Sequence, residues 1–193
     1  DQVKLGGRLQ EVTVMFSDLE GFTGLSEHTD PEILLQLLNR YHEFMVHIVL
    51  LYGGTIDKFI GDGVMSLFNT PVEQDDHIAR AVKSALHIQD ELYWFYQELA
   101  EEHRLPVNFG IHSGLAVVGN VGTDRIMNFT AVGDTVNVAS RLQDLAENGR
   151  ILVSEEVFRA TEGFVFGRNR GAFSLKGRSK VVQIYEISNS LFE

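Results

Sequence analysis

The feature that most constrains this chain is the alternation, through its N-terminal half, of short β-branched runs with two long amphipathic segments. Glu11-Val12-Thr13-Val14-Met15-Phe16 reads as a buried strand that stops at Ser17-Asp18 and so delivers a carboxylate at its C-terminal end. Asp30-Pro31 is a helix start, a capping side chain followed by proline in the first turn. Leu34, Leu37, Leu38, Tyr41, Met45, Ile48 and Val49 continue one apolar face until Gly53-Gly54 ends it. Thr55 to Ile60 and Val64 to Phe68 then flank Gly61-Asp62-Gly63, the pattern of two strands around a tight hairpin. A second amphipathic helix is predicted from about Asp76 to about Glu101, burying Ile78, Ala81, Val82, Ala85, Leu86, Leu92, Phe95 and Leu99, with Val107 to Ile111 as the next strand.

The order β-α-β-β-α-β defines an α+β chain with a ferredoxin-like core, an antiparallel sheet covered on one face by two helices. Beyond it the expectations are a turn over Gly110-Ile111-His112-Ser113-Gly114 and a further strand from Leu115 to Val118. An extended arm from Val121 to Ala131, a third helix from Thr135 to Leu145 and a closing strand from Val181 to Ile187 follow. These extra C-terminal strands and helices leave no proline-rich linker or repeat, so residues 11–193 form one domain. Residues 1–10, with Gly6-Gly7, read as the end of a linker, which implies a sensor or regulatory module on its N-terminal side.

Composition narrows the function. Acidic residues exceed basic ones, 27 to 16, giving a net charge of −11, which argues against nucleic-acid partners and anionic membrane surfaces. An acidic chain can still hold a polyphosphate through metal ions. Cysteine is absent, which removes thiol nucleophiles and cysteine zinc sites and suits a cytoplasmic location. The longest apolar run, Phe44 to Tyr52, falls far short of the roughly 18 residues that cross a bilayer, and Asp1-Gln2-Val3-Lys4 does not begin a secretory signal.

Asp18 ends the first strand and Asp62 sits in the hairpin between the second and third. A ferredoxin-like sheet sets the first and third strands side by side, so both carboxylates fall at one end of it, an arrangement suited to Mg²⁺ or Mn²⁺. Singly, each residue is also what a turn or cap favours; their joint placement shifts the balance. No Walker motif occurs, but Gly21, Phe22 and Thr23, directly after Asp18-Leu19-Glu20, could offer backbone N–H groups to phosphates. Asp134 can cap the third helix, and Asn137 and Arg141, four apart, then share one helical face.

Three segments together, Phe16-Ser17-Asp18-Leu19-Glu20-Gly21-Phe22-Thr23, Lys58-Phe59-Ile60-Gly61-Asp62-Gly63 and Val132-Gly133-Asp134-Thr135-Val136-Asn137-Val138-Ala139-Ser140-Arg141, resemble the signature segments of class III adenylyl and guanylyl cyclase catalytic domains. The resemblance covers nearly the whole chain. It implies that Asp18 and Asp62 bind two Mg²⁺ or Mn²⁺ ions per active site, that Asn137 and Arg141 orient the ribose and stabilise the transition state, and that Lys176 grips the distal phosphates. It implies that Lys58 selects the purine, being Lys where guanylyl cyclases carry Glu. Thr130 occupies the partner position, where many members have Asp, so the chain is similar to a Thr-bearing subset in which some members respond to bicarbonate. The implied protein is a homodimeric adenylyl cyclase acting on ATP across a shared interface. The alternatives are a guanylyl cyclase, disfavoured by Lys58, and a catalytically silent nucleotide-binding or dimerisation module, disfavoured because Asp18, Asp62, Asn137 and Arg141 are all present.

Overall fold

The computed structural model describes residues 5–123, 125–174 and 181–189. Its elements are β1 (Gly6–Leu19), α1 (Phe22–Ser26), α2 (Pro31–Leu51), β2 (Thr55–Ile60), β3 (Gly63–Phe68), α3 (His77–Gln97), β4 (Val107–Thr123), β5 (Ile126–Val132), α4 (Asp134–Asp144), β6 (Ile151–Ser154), α5 (Glu155–Thr161), β7 (Val165–Ser174) and β8 (Val181–Asn189). The main sheet path runs β2-β3-β1-β4-β6-β8-β7, with β5 paired to β4 off that path. The first four strands carry the expected ferredoxin-like order, all antiparallel, while β4 and β6 form a parallel pair.

Helices α2, α3 and α5 cover one face, over a core that includes Met15, Tyr41, Phe68, Ile88, Phe109 and Ile111. On the other face Val12, Val14, Leu67, Ala116 and Val118 pack with Ala139 of α4. Helix α2 starts as its sequence dictates, the Asp30 carboxylate accepting from the backbone N–H groups of Glu32 and Ile33. Helix α3 ends at Gln97, ahead of the predicted Glu101, because the chain is turned back there by tertiary hydrogen bonds. Arg104 donates to the Leu99 carbonyl, and the Tyr41 hydroxyl of α2 donates to His103 O at 2.9 Å while accepting from Leu105 N at 2.7 Å.

Four expectations are corrected. Strand β1 begins at Gly6, inside the segment read as the linker end, because Gly6 to Gln10 pair with Asn120 to Ala116. Gly110 to Gly114 is not a turn, and Leu115 to Val118 is no separate strand: both lie within β4, held along its length by β1, with His112 buried and its Nδ1 2.8 Å from Ser154 Oγ. The arm is a paired hairpin, β5 returning along β4 from Thr123↔Ile126 to Val117↔Val132. Asp134 is the first residue of α4, and the capping position falls to Gly133.

Candidate active site

Strand β1 sets Ser17 opposite Val64 of β3, so Asp18 reaches the hairpin that joins β2 to β3. The two-residue turn is Gly61-Asp62; Gly61 takes φ 62°, a left-handed conformation that favours glycine. Asp62 is held from two sides. Its Oδ2 accepts from Leu19 N at 3.2 Å, and its carbonyl oxygen lies 3.1 Å from Nε2 of His42 on α2. Gly63 lets the Asp18 carboxylate lie against the hairpin, since a Cβ there would stand 3.0 Å from Asp18 Oδ1 and 3.0 Å from Ser17 O.

The two carboxyls stand together on one cavity. Burial pushes the Asp18 carboxyl up to about 7, helped by the negative charges of Asp62 and Asp144. They open on a cavity of about 340 Å³ also lined by Gly21, Phe22 and Thr23 at the start of α1 and by Asp144 from α4. Beneath it, Asn108 donates to Glu20 Oε2 at 3.0 Å and accepts from Gly149 N at 2.8 Å, tying β1, β4 and the loop after α4 together. A half-buried carboxyl that burial raises to about 7, with a second carboxyl beside it, is one that a divalent cation would ionise, so the pair fits a hard metal. Among the described residues no third His, Cys, Asp or Glu completes a protein-only metal cage. Mg²⁺ ordinarily takes its remaining ligands from substrate phosphate and water.

A second cluster lies between β2 and β5. Lys58 Nζ donates to Thr130 Oγ1 at 3.1 Å, and Thr130 Oγ1 donates to Asp57 Oδ2 at 2.5 Å. Asp57, whose side chain is 0% exposed, has the Lys58 ammonium 3.5 Å from its Oδ1, which accepts no hydrogen bond among the described residues. Sequence reasoning paired Lys58 with Thr130 and overlooked Asp57. A strand's alternation would send residues 57 and 58 to opposite faces, but the register of β2 against β3 slips between Ile56 and Lys58. That bulge is what re-aims the side chain.

Asn137 and Arg141 lie on the exposed side of α4, opposite buried Val138, Ala139 and Leu142. Arg141 Nη1 is 3.8 Å from Asp144 Oδ2. The helix sits directly on β4 at Gly110, where a Cβ would come 2.2 Å from Gln143 N and 2.3 Å from Ala139 O. One chain thus gathers Asp18, Asp62, Gly21, Phe22 and Thr23 around one cavity and Lys58 with Thr130 in another place, while Asn137 and Arg141 line neither. Lys176 lies outside the described residues.

Residues 6–189 match the family described as the adenylate and guanylate cyclase catalytic domain. The chain belongs to that family. It is 38% identical over 189 residues to adenylate cyclase 1 of Rhizobium meliloti, the match covering 94% of this chain and 28% of that relative. It therefore spans well under half the length of a curated relative it matches. Among solved structures it superimposes on the adenylyl cyclase CyaB from P. aeruginosa with a TM-score of 0.88 and 38% identity, covering 96% of this chain and 97% of that one. A guanylyl cyclase crystal structure is matched with the same TM-score, 0.88, at 32% identity and 98% coverage of both chains. The same fold is thus shared with structures of both an adenylyl and a guanylyl cyclase.

Proposed function

We propose that this chain is the catalytic domain of an adenylyl cyclase that converts ATP to 3′,5′-cyclic AMP and pyrophosphate. The observation that carries the choice of purine is the Lys58–Thr130 hydrogen bond, which presents an ammonium and a hydroxyl as one reading unit. Lys58 donates to a ring nitrogen of adenine and Thr130 accepts from its exocyclic amino group.

In the reaction the ribose 3′-hydroxyl oxygen attacks the α-phosphorus and passes its proton to water, the new 3′-O–P bond forms, and the bond from the α-phosphorus to the α–β bridging oxygen breaks in line, with pyrophosphate as the leaving group. Asp18 and Asp62 would hold two divalent cations, Mg²⁺ or Mn²⁺; these supply Lewis acidity at the 3′-oxygen and the triphosphate. Gly21, Phe22 and Thr23 offer backbone donors to the phosphates. Asn137 orients the ribose, and Arg141 meets the charge that grows on the α-phosphoryl oxygens, a contribution of about 3 kcal/mol for such a group. Lys176 is assigned to the distal phosphates.

The separation of these residues into clusters supports a site completed by a second copy, with Asp18 and Asp62 from one protomer and Lys58, Thr130, Asn137, Arg141 and Lys176 from its partner. A row of exposed apolar side chains supports the same arrangement: Leu9, Val117 and Val132 stand at neighbouring register positions across β1, β4 and β5, next to exposed Leu115. Among the described residues no helix is long and apolar enough to cross a membrane. Catalysis is assigned to the cytoplasm, where ATP is abundant. Purified protein given Mn-ATP and, separately, Mn-GTP should form cyclic AMP faster than cyclic GMP. Preferential formation of cyclic GMP would establish a guanylyl cyclase, and no product from either a silent module.

A further inference from the structure

We infer that Asp57 is a positioning residue for purine selection, because it fixes the direction of the Thr130 hydroxyl; the assignment rests on the adenylyl cyclase activity proposed above. A threonine hydroxyl is by nature ambiguous, one donor and two acceptor lone pairs on a freely turning bond. Such a group would satisfy the amino group of adenine or the 6-oxo group of guanine equally well.

Asp57 removes that ambiguity. Its Oδ2 takes the hydroxyl proton at 2.5 Å, a far better acceptor for it than the Ala131 carbonyl at 3.4 Å. With the proton committed inward, Thr130 Oγ1 shows only lone pairs. One of these receives Lys58 Nζ at 3.1 Å, and the other remains for a donor on the base. Adenine offers a donor at that position and guanine an acceptor, so the hydroxyl behaves as the carboxylate found at this position in other cyclases would. The same carboxylate steadies the lysine. One ammonium hydrogen is given to Thr130 Oγ1 while the ion pair with Asp57 Oδ1 at 3.5 Å holds the nitrogen in place, which leaves a hydrogen for a ring nitrogen.

Burial gives the arrangement its strength. The Asp57 side chain is 0% exposed and Thr130 is 5% exposed, whereas Lys58 is 42% exposed and reaches solvent, so water does not compete for the hydroxyl proton. The bulge at Asp57 permits all of this, since an unbroken strand would turn the carboxylate away from Lys58.

Asp57→Asn tests the assignment. Lys58 favours the amide oxygen on its own side, which sets the amide nitrogen against Thr130 as a donor and releases the hydroxyl proton toward the base. The readouts are kcat and KM for ATP, for GTP and for purine riboside triphosphate, which lacks the amino group. In the unaltered protein, loss of the amino group should cost about tenfold in kcat/KM; in Asp57→Asn that cost should largely vanish, through KM more than kcat, and use of GTP should rise. In a Thr130→Val background the same substitution should leave discrimination unmoved, because its intermediary is gone. Full retention of amino-group discrimination by folded Asp57→Asn overturns the role of Asp57 while leaving the adenylyl cyclase assignment intact. Failure of the unaltered protein to favour ATP overturns both. Should Asp57→Asn not fold, Thr130→Val alone decides: undiminished discrimination without the hydroxyl overturns the inference.

Discussion

Asp18 carries a pH dependence whose sign follows from its surroundings. Burial first, and the charge of Asp62 next, raise its carboxyl to about 7, above the value near 4 that it has in an unfolded chain. The contribution of the protonated carboxyl to stability is therefore fully present below about pH 4 and is lost as pH rises through 7. In chelator, the melting temperature of the native protein relative to Asp18→Asn should fall between pH 5 and 8. Added Mn²⁺ should raise the native protein's melting temperature more at pH 8 than at pH 6, because the cation displaces a proton at the lower pH; equal increments at both would place the metal elsewhere. A second residue-level expectation concerns conversion to GTP. Lys58→Glu takes the cation from buried Asp57 and puts a carboxylate in its place, and stranding a buried charge costs about 3 kcal/mol. Lys58→Glu with Thr130→Cys should therefore melt well below the parent, and adding Asp57→Asn should restore much of the loss.

At the scale of elements, the seat of α4 on β4 sets where Asn137 and Arg141 stand. Gly110 is the contact point, and a methyl group there meets backbone atoms of α4 at 2.2 and 2.3 Å rather than yielding side chains. Gly110→Ala should lower stability by about 1–3 kcal/mol and, by tilting the helix, reduce kcat more than tenfold. Asp30→Ala is the matched comparison: it removes two bonds to backbone N–H groups at the start of α2, costs about 1 kcal/mol and should spare kcat. Chemical denaturation and steady-state assays on both variants separate the effects. Equal activity in the two would show that the helix tolerates displacement or that its residues act elsewhere.

For the whole molecule, division of the site between protomers makes an arithmetical prediction. Asp62→Ala and Arg141→Ala homodimers each lack a group that both of their sites need. A mixed dimer concentrates both lesions in one site and leaves the other intact. Random re-pairing makes about half the dimers mixed, so activity should recover to at most roughly a quarter of the native level. Subunit exchange is verified by tagging the two chains differently. Persistent inactivity after exchange would mean that the residues of one chain serve one site.

The order β-α-β-β-α-β, the Asp30 cap of α2, the Gly61-Asp62 turn and the four-residue spacing of Asn137 and Arg141 are all legible in the sequence, because each depends on residues within a few positions of one another. What escaped reading depends on distant partners. Strand β4 runs unbroken through Gly110 and Gly114 because β1 pairs with it along its length, so local glycine content misleads. Strand β6 has only four residues, and β7, with Arg168, Asn169, Arg170 and two glycines, has a polar composition; β6 becomes a strand by pairing with β4 and β8, and β7 by pairing with β8. The candidate site divides the same way. The residues themselves singled out Asp18 and Asp62 as capable of holding metal, and the family resemblance added Lys58 and Thr130 as readers of a purine. The joint placement of Asp18 and Asp62 followed from the sheet order, but the meeting of Asp57 with Thr130 joins residues far apart in the chain that no local pattern pairs; only tertiary packing brings that carboxylate within bonding distance of the hydroxyl and excludes the water that would otherwise screen them.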